Sequence, residues 1–288
     1  MPAFLNDSFL HDDEALLHVS DLSIQRGYAV FDFFRTINGV PFCMNDYLDR
    51  FYRSASEMHL SISKNKQELS EIVYELIKRS TYTDAGIRLM VTGGYSADGY
   101  HTAVPNLLII CHPVKLATQA DYEKGLSVIT YEYQRDLPQV KSINYLMAVW
   151  LHPLLKEKQA DDILYFKNNI ITEFPRANVF MVTRDKKLIT PRRNILHGIT
   201  RKNILSIATE MIEVEERDIA VDELLTVSEI FLTSTTKRVL PVTRLNDQII
   251  GNSKPGEITS VLYKKFLEME ELVTKDQATG AVNPYSMP

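Results

Sequence analysis

The sequence has little cysteine, no long apolar run and no large excess of charge of either sign. Two cysteines, Cys43 and Cys111, among 288 residues are too few for a disulfide framework and favour a reducing compartment. The net charge of −5 provides no electrostatic basis for binding nucleic acid or an anionic membrane. No apolar run approaches the roughly 20 residues needed to cross a bilayer. The first residues, MPAFLNDSFLHDDEALL, lack the basic and apolar regions of a signal peptide. We therefore expect a cytoplasmic protein with neither a membrane nor a nucleic-acid partner.

The residues that are present indicate a globular chain in which strands and helices alternate. Hydrophobic residues make up 45% of the chain and charged residues 24%, and neither proline nor glycine is enriched. The stretch FDFFRTINGVPF (31–42) predicts a hairpin, because Asn38-Gly39 is a strong turn signal between two apolar runs. Apolar residues recur every three or four positions over 46–60 and 68–77, which predicts two amphipathic helices. Two further strands are expected, at RLMVTGG (88–94) and LLIICH (107–112).

A short polar stretch without periodicity, PVKLATQAD (113–121), separates this region from a second mixed one. The second region is expected to hold a strand, two hairpins and three helices, at 126–133, 163–173, 179–190, 142–157, 202–212 and 258–273. Mixed elements on both sides predict an α+β or α/β fold of two domains. We place a small domain at 1–116, a linker at 117–121 and a large domain at 122–288. The tail from about 276 has no apolar period and is expected to be poorly ordered.

Lys141 stands before an apolar, helix-like run in VKSINYLMAVW (140–150). The ordinary interpretation of such a lysine is a solvated surface charge. The alternative is a Schiff-base lysine, whose amine needs a lowered pKa and a partly dry site. The segment alone favours the ordinary interpretation, so the choice depends on the partners that a pyridoxal phosphate enzyme requires. These are a carboxylate for the pyridine nitrogen, amides, hydroxyls and an arginine for the phosphate, and cations for the substrate carboxylate.

Each partner can be nominated, although each candidate also has an ordinary structural explanation. Glu173 ends a predicted strand in IITEFPRANVF, where it either points into a cleft or is simply exposed. Gly198 and Thr200 precede a predicted helix in ILHGITRKNIL, and Thr200 is a natural N-cap beside free amides that suit a phosphate. Arg50 lies on a predicted helix, where pairing with Asp46 is the ordinary explanation. Hydroxyls that follow an apolar strand in FLTSTTKRVLP form either a binding turn or an ordinary polar one: Thr233, Ser234, Thr235 and Thr236.

Taken together and in this order, these residues resemble those of the class IV pyridoxal phosphate aminotransferases, of fold type IV. The resemblance runs from about Asp21 to Gly251 and implies the two-domain fold of that group. The group includes D-amino acid transaminases, branched-chain aminotransferases and aminodeoxychorismate lyase. The resemblance implies that Lys141 forms the internal aldimine with pyridoxal 5′-phosphate and that Glu173 binds the pyridine nitrogen. Asn178 also fits the family's glutamate-to-asparagine spacing. The family further implies a homodimer whose active site borrows residues from the second subunit.

The resemblance also assigns the remaining cofactor contacts. Arg50 would bind the phosphate, in a stretch similar to the family's His-Leu-x-Arg-Leu motif with Tyr47 in place of the histidine. Tyr145 aligns with a tyrosine that approaches the ring hydroxyl. No metal ion is implied. The other phosphate ligands would be Ile199, Thr200, Thr235 and Thr236.

The first motif departs from the family in a way that bears on the substrate. Members commonly read Gly-Asp-Gly-Val-Phe-Glu, whereas this chain reads GYAVFD (27–32). The D-amino acid transaminases first described have a tyrosine in the place of Phe31 and an arginine in that of Gly93, so both expected carboxylate donors are missing. Arg26 and Arg88 can replace them, because two arginine forks can hold both ends of a dicarboxylate. The pattern resembles a less common subgroup of D-amino acid transaminases, although each arginine is also explained by a surface salt bridge.

The expected reaction is transamination between a D-amino acid, such as D-glutamate or D-alanine, and a 2-oxo acid. Substrate handedness does not follow from residue types, and three alternatives stay open: aminodeoxychorismate lyase, a branched-chain L-amino acid aminotransferase, and a non-catalytic binding protein on the same scaffold. Two arginines make an apolar branched-chain pocket less attractive, and a binding protein needs neither Lys141 nor Glu173. Lys237 and Arg238 stand where the family has a small residue and glutamate, and they either strengthen phosphate or substrate binding or end a strand in solvent.

Overall fold

The structure, a computed structural model, describes residues 1–279, and the chain divides into two compact units. The first unit consists of residues 1–114, 140–144 and the segment that begins at Glu270. The second consists of residues 115–139 and 145–269. Each unit therefore contains segments that are distant in sequence, and Lys141 belongs to the first.

The first unit is built on one antiparallel sheet. Its elements among the described residues are β1 (Pro2–Leu5), β2 (Ser8–His11), a 3₁₀ helix (Asp12–Glu14), α1 (Leu22–Arg26), β3 (Ala29–Ile37), β4 (Val40–Pro41), α2 (Met44–Glu57), α3 (Lys66–Arg79), β5 (Ala85–Thr92) and β6 (Leu107–Pro113). The strand order is β2-β1-β6-β5-β3-β4. β3 and β5 pair over their length, from Ala29 opposite Thr92 to Arg35 opposite Gly86. Side chains that lie opposite each other in such a pair project from the same face of the sheet.

Helices α2 and α3 form because apolar residues fall on one side of each, and that side packs on the sheet. The buried residues of this stripe are Tyr47, Leu48, Phe51, Ala55, Leu69, Val73 and Leu76. Asn65 starts α3 with a capping box, in which Asn65 and Glu68 each accept a hydrogen bond from the other's amide. α2 covers the face of β3 that carries Asp32 and Phe34, as the Arg50–Asp32 ion pair shows. Residues alternate between faces along a strand, so Phe31 projects from the opposite face.

The second unit contains a larger, mixed sheet. Its elements among the described residues are α4 (Gln119–Lys124), β7 (Leu126–Glu132), α5 (Leu146–Trp150), α6 (His152–Glu157), β8 (Asp162–Lys167), β9 (Ile170–Ile171), β10 (Asn178–Val182), β11 (Leu188–Pro191), α7 (Ile199–Thr209), β12 (Val214–Arg217), a 3₁₀ helix (Val221–Leu225), β13 (Glu229–Ser234), β14 (Arg238–Leu245) and β15 (Gln248–Ile249). Helix α8 (Glu257–Thr279) contributes residues to both units. No helix among the described residues combines the length and the apolar character that crossing a membrane requires.

Strands of the second unit follow the order β12-β11-β10-β13-β14-β7-β8-β9, with β15 paired to β14. β7 runs parallel to β14 and β8, β11 runs parallel to β12, and the other pairs are antiparallel. Every residue of β10 is buried, which fits its central position and its apolar sequence NVFMV. The core of this unit includes Val128, Leu164, Val179, Met181 and Leu232.

The hairpin predicted at 31–42 is confirmed. Ile37 lies opposite Val40, and the two turn residues have positive φ angles of 51° at Asn38 and 78° at Gly39. Positive φ at both central residues is the geometry that an Asn-Gly turn favours, because neither side chain opposes it strongly.

The helix predicted over 142–157 is wrong in its first part. Residues 142–145 are not helical, and Ser142 forms a β-bridge with Val30. α5 begins at Leu146, and a turn at Leu151 separates it from α6, where Pro153 occupies the first turn. The 117–121 segment overlaps the start of α4, and the proposed division into domains at that segment stays a prediction. Helix α8 continues to Thr279, so residues 276–279 of the predicted disordered tail are helical, and the rest of that prediction lies outside the described residues.

Candidate active site

Lys141 is held at the edge of the first unit's sheet by its own backbone. Its carbonyl accepts a hydrogen bond from the amide of Phe31 at 2.9 Å, and its amide donates to Oγ of Ser54 at 3.2 Å. Val30 and Ser142 form the adjacent antiparallel bridge, so Lys141 lies opposite Phe31 and the two side chains share a face. The Nζ atom is 4.7 Å from the centroid of the Phe31 ring. The ring therefore shields the amine from water on one side, as a reactive lysine requires.

Arg88 contacts the same ring as Lys141. Its guanidinium carbon is 5.1 Å from the centroid of Phe31 and 6.0 Å from that of Phe33, which lies directly opposite on β3. Gly86, two positions earlier on β5, leaves room for the Phe33 ring, since an added Cβ would lie 2.7 Å from it. The sheet face that carries the lysine amine thus also carries a fixed arginine.

Arg26 is placed differently from Arg88. It is the last residue of α1 and is exposed, and its Nη1 donates to the carbonyl of Gln25 at 2.9 Å. Among the described residues it forms no ion pair. Of the two arginines proposed to bind substrate, Arg88 is the one that contacts Phe31.

Arg50 forms a buried two-pronged ion pair with Asp32, the last residue of GYAVFD. Its Nε donates to Oδ2 at 2.8 Å and its Nη2 to Oδ1 at 2.7 Å, and the two side chains are 5% and 0% exposed. Such a pair fixes the guanidinium in one orientation. Ser54, which anchors Lys141, follows Arg50 by one turn of α2. One helix therefore carries Arg50 and also supports the backbone of Lys141.

In the second unit, Glu173 is buried and both of its carboxylate oxygens are bonded. Arg135 donates to Oε1 through Nε at 2.8 Å, and Nη2 lies equally close to that oxygen. The amide of Leu196 donates to Oε2 at 2.9 Å. Glu173 is thus not an exposed residue at a strand end, and its carboxylate pairs with the Arg135 guanidinium. No local pattern identifies Arg135 in the sequence, because it meets its partner across a separation of 38 residues.

Helix α7 begins beside this carboxylate, and its first turn has no side-chain cap. The N-cap residue is Gly198, not Thr200 as the sequence suggested, so Thr200 is the second helical residue. Glycine is required at the cap because Asn178 packs against it: an added Cβ would lie 2.2 Å from Oδ1 of Asn178. An uncapped helix start leaves amide donors, including those of Ile199 and Thr200, directed toward a potential anion.

The hydroxyl-rich turn lies next to this helix start. β10 pairs with β13, with Asn178 opposite Thr233, and α7 packs against β13. Thr235 and Thr236 follow in the turn before β14, and the carbonyl of Thr236 accepts from the amide of Ala117 at 3.0 Å. Buried Oγ1 of Thr233 has no hydrogen-bond partner among the described residues. The register therefore brings the hydroxyls and the amides of α7 to one corner of the second unit.

Lys237, whose role the sequence left open, is held within its own unit. Its Nζ donates to Oδ2 of Asp162 at 2.8 Å, and the two side chains are 25% and 12% exposed. Arg238 begins β14 with a φ angle of 54°. Lys237 therefore forms an ion pair with a carboxylate on β8.

Tyr145 is the residue before α5 and is half-buried. The helix that follows presents apolar side chains to solvent at positions one, four and five after Tyr145. These are Leu146, Val149 and Trp150, which are 76%, 62% and 64% exposed. Their spacing places them on one side of the helix.

Each unit holds groups of the kinds that bind pyridoxal phosphate. A primary amine can react with the cofactor's aldehyde, a carboxylate can pair with its ring nitrogen, and free amides beside hydroxyls suit its phosphate. The first unit contains the amine of Lys141, and the second contains the buried carboxylate of Glu173 and the amides at the start of α7.

Comparisons of this sequence with known proteins agree with a pyridoxal phosphate site. The family model described as amino-transferase class IV matches residues 29–245. The D-alanine aminotransferase of Bacillus licheniformis is 29% identical over 90% of this chain and 93% of its own length. A protein of Methanocaldococcus jannaschii, named provisionally as a branched-chain-amino-acid aminotransferase, is 31% identical over 93% of this chain and 96% of its own.

Solved structures share the fold of this chain. The branched-chain amino acid aminotransferase of Escherichia coli superposes with a TM-score of 0.87 at 23% identity, covering 93% of this chain and 94% of its own. A hypothetical aminotransferase from Mycobacterium tuberculosis, in its PLP-bound form, superposes with a TM-score of 0.80 at 20% identity, covering 92% of this chain and 96% of its own.

The family match spans most of the chain and includes the residues nominated for the amine, the carboxylate and the phosphate. Two relatives of nearly equal length carry aminotransferase names, and the fold is shared with solved aminotransferases. The chain therefore belongs to the class IV aminotransferases, and it is a pyridoxal phosphate-dependent enzyme of fold type IV that acts on amino acids and oxo acids.

Proposed function

We propose that this enzyme transfers the amino group of a D-amino acid, such as D-glutamate or D-alanine, to a 2-oxo acid. The observation that carries transamination at this site is the shared contact of Lys141 and Arg88 with the ring of Phe31, while the D-configuration of the substrate rests on similarity to a D-alanine aminotransferase. A guanidinium in that place can hold a substrate carboxylate while the α-carbon faces the lysine amine. The similarity to a D-alanine aminotransferase supports the same substrate class.

Each site residue has a stated task in this proposal. The bound cofactor supplies an electron-accepting ring that stabilises the charge left by removal of the α-proton. Lys141 holds the cofactor, removes the proton and returns it. Glu173, held by Arg135, pairs with the ring nitrogen, and Tyr145 approaches the ring hydroxyl. Arg26 assists Arg88 with substrate acid groups. The phosphate is held by Arg50, Ile199, Thr200, Thr235 and Thr236.

A branched-chain L-amino acid aminotransferase is the second candidate, and the name of the 31% identical relative favours it. Its substrates have uncharged, apolar side chains, so a binding face for them needs no cation beyond one for the carboxylate. Arg88, which lies over the rings of Phe31 and Phe33, is the one cation that both candidates need, so the preference for acidic substrates rests on Arg26 as a second cation. The lyase alternative differs in its product, since it would release pyruvate without an amino acceptor.

We further propose a cytoplasmic homodimer. Two free cysteines and no disulfide among the described residues support the reducing compartment.

The exposed apolar side of α5, with Leu146, Val149 and Trp150, supports an interface with a second copy of the chain, because monomers rarely leave such groups together in water. Sedimentation at micromolar concentration should give twice the mass of the chain. Replacement of Trp150 by Glu should shift the protein toward monomers, whereas an active wild-type monomer would contradict the proposal.

Substrate class is tested by the absorbance of the holoenzyme. D-glutamate should convert the yellow, lysine-bound form of the cofactor to its amino form, and L-leucine in a separate sample should not. Conversion by L-leucine alone would make the branched-chain candidate correct. Pyruvate release from aminodeoxychorismate, with neither amino acid active, would make the lyase correct.

Replacement of Arg88 by Gln should raise the KM for D-glutamate about 10- to 100-fold, because a buried charged hydrogen bond to the carboxylate is lost. Arg88→Lys should recover only part of this loss, since lysine cannot form the two-pronged contact. Arg79→Gln is the matched control: Arg79 also lies over a phenylalanine ring, 4.3 Å from the centroid of Phe9, and should leave KM unchanged. Equal KM values in wild type and Arg88→Gln would remove Arg88 from the substrate site.

A further inference from the structure

The peptide groups of Leu196 are fixed on both sides. Its amide donates to Oε2 of Glu173 at 2.9 Å, and its carbonyl accepts from Nδ2 of Asn178 at 2.7 Å. Leu196 stands two residues before Gly198, the N-cap of α7. A single short segment therefore begins at the carboxylate and ends at the amides of the helix.

Asn178 contacts both ends of this segment. While Nδ2 binds Leu196, Oδ1 lies where a Cβ of Gly198 would come within 2.2 Å. Asn178 is 5% exposed and is the first residue of β10, where its backbone pairs with Thr233 of β13. The side chain cannot turn away from Gly198 without giving up a buried hydrogen bond, which is costly. The support thus comes from the rigid sheet rather than from a loop.

We propose that Asn178 is a positioning residue that fixes the carboxylate of Glu173 and the first amides of α7 at one distance from each other, through Leu196 and Gly198. A pyridine ring with its phosphate is a rigid ligand, so its ring nitrogen and its phosphate must find their partners at a set separation. Residues that orient direct ligands commonly affect binding almost as much as the ligands themselves. This inference rests on the proposed roles of Glu173, Ile199 and Thr200.

The test uses the full-length apoenzyme and two probes, pyridoxal 5′-phosphate and pyridoxal, which lacks the phosphate. Asn178→Ala should raise the Kd for pyridoxal 5′-phosphate about tenfold, the effect of one lost buried hydrogen bond. The Kd for pyridoxal should rise less, because the amides of α7 contribute only through the phosphate. The melting temperature of the Asn178→Ala apoenzyme, compared with that of the wild-type apoenzyme, guards against a folding defect in this variant.

Thr190→Val is the matched control. Its Oγ1 donates to the carbonyl of Val179 at 2.7 Å, so it makes a buried side-chain-to-backbone bond beside Asn178 with no link to Glu173 or α7. Its Kd values should equal those of the wild type. An equal rise for both probes in Asn178→Ala, or no rise at all, would overturn the inference.

A double-substitution cycle tests the route through Gly198. Gly198→Ala should weaken cofactor binding about tenfold by pushing Asn178 away from Leu196. In the Asn178→Ala background the added methyl has room, so the second substitution should add little. Full additivity of the two losses would show that they act separately and would overturn the route.

Thr235→Val removes a proposed direct ligand of the phosphate. It shows whether only the positioning role of Asn178 is wrong or the phosphate site itself is wrong. If Thr235→Val weakens binding and Asn178→Ala does not, the site stands and the positioning role is wrong. If neither weakens binding, the assignment of the phosphate to this corner is also wrong. None of these outcomes depends on which amino acid is the substrate.

Discussion

Replacement of Lys141 by Ala abolishes measurable transamination, with an expected loss in kcat/KM of about 10⁴-fold or more. The reason is that we propose two tasks for one amine, to hold the cofactor and to move the α-proton, so its loss would remove both together. The backbone of Lys141 is fixed by its hydrogen bonds to Phe31 and Ser54, so its amine acts at a much higher effective concentration than an amine free in solution. Initial rates with D-glutamate and a 2-oxo acid measure the effect.

Lys158→Ala is the control for this substitution, since Lys158 is an exposed lysine paired with Glu157 and should leave the rate unchanged. Cofactor affinity in Lys141→Ala should fall less than the rate, because the phosphate and ring-nitrogen contacts remain. Addition of a small primary amine should restore a fraction of the proton transfer. Near-normal transamination by Lys141→Ala would show that another group is the reactive amine.

Replacement of Glu173 by Gln lowers kcat about 10²- to 10³-fold while cofactor binding stays close to that of the wild type. A neutral amide can still accept the bond from Leu196, but it cannot hold a positive charge on the ring nitrogen. Without a charged residue 173, removal of the α-proton by Lys141 would be slower, because the bound cofactor would be a weaker electron acceptor. A primary isotope effect measured with α-deuterated substrate should increase, since proton removal becomes the slow step.

The substitution also leaves Arg135 beside a neutral partner, which costs about 1–3 kcal/mol of stability. Glu223→Gln controls for that loss, because Glu223 pairs with Arg217 in the same unit at 2.7 Å, and this bond lowers the pKa of the Glu223 carboxyl. Glu223→Gln should lose stability without losing rate. A Glu173→Gln enzyme that turns over at the wild-type rate would exclude the carboxylate from the ring-nitrogen contact.

The elements that depend on local sequence are the ones that the sequence predicts well. The Asn38-Gly39 hairpin and the helices near 46–60 and 68–77 follow from turn chemistry and apolar spacing within a few residues. The segment after Lys141 is different, because the predicted helix includes Ser142, which instead pairs with Val30 of β3, more than a hundred residues earlier. A β-bridge between residues so far apart in sequence produces no pattern of apolar residues in the segment itself.

The candidate site also combines residues that the sequence predicts with residues that it does not. Motif spacing predicts Lys141 and Glu173 as site residues, but it does not predict the partners that hold them. Arg135 and Ser54 become visible only once the fold brings them to those residues. The start of α7 is another feature that the sequence does not predict. Threonine is a common N-cap residue, which favours Thr200, but the close contact between Gly198 and Asn178, 20 residues apart, decides where the helix begins.

Lys141 is the amine that we propose carries the cofactor. The direct measurement is reduction of the yellow holoenzyme with borohydride, followed by protease digestion and mass analysis of the peptides. We expect the added mass of the reduced cofactor on Lys141, in the peptide containing VKSINYL, and we expect prior exposure to D-glutamate to remove it. Attachment to a different lysine, or no covalent attachment in a protein that is active, would contradict this assignment.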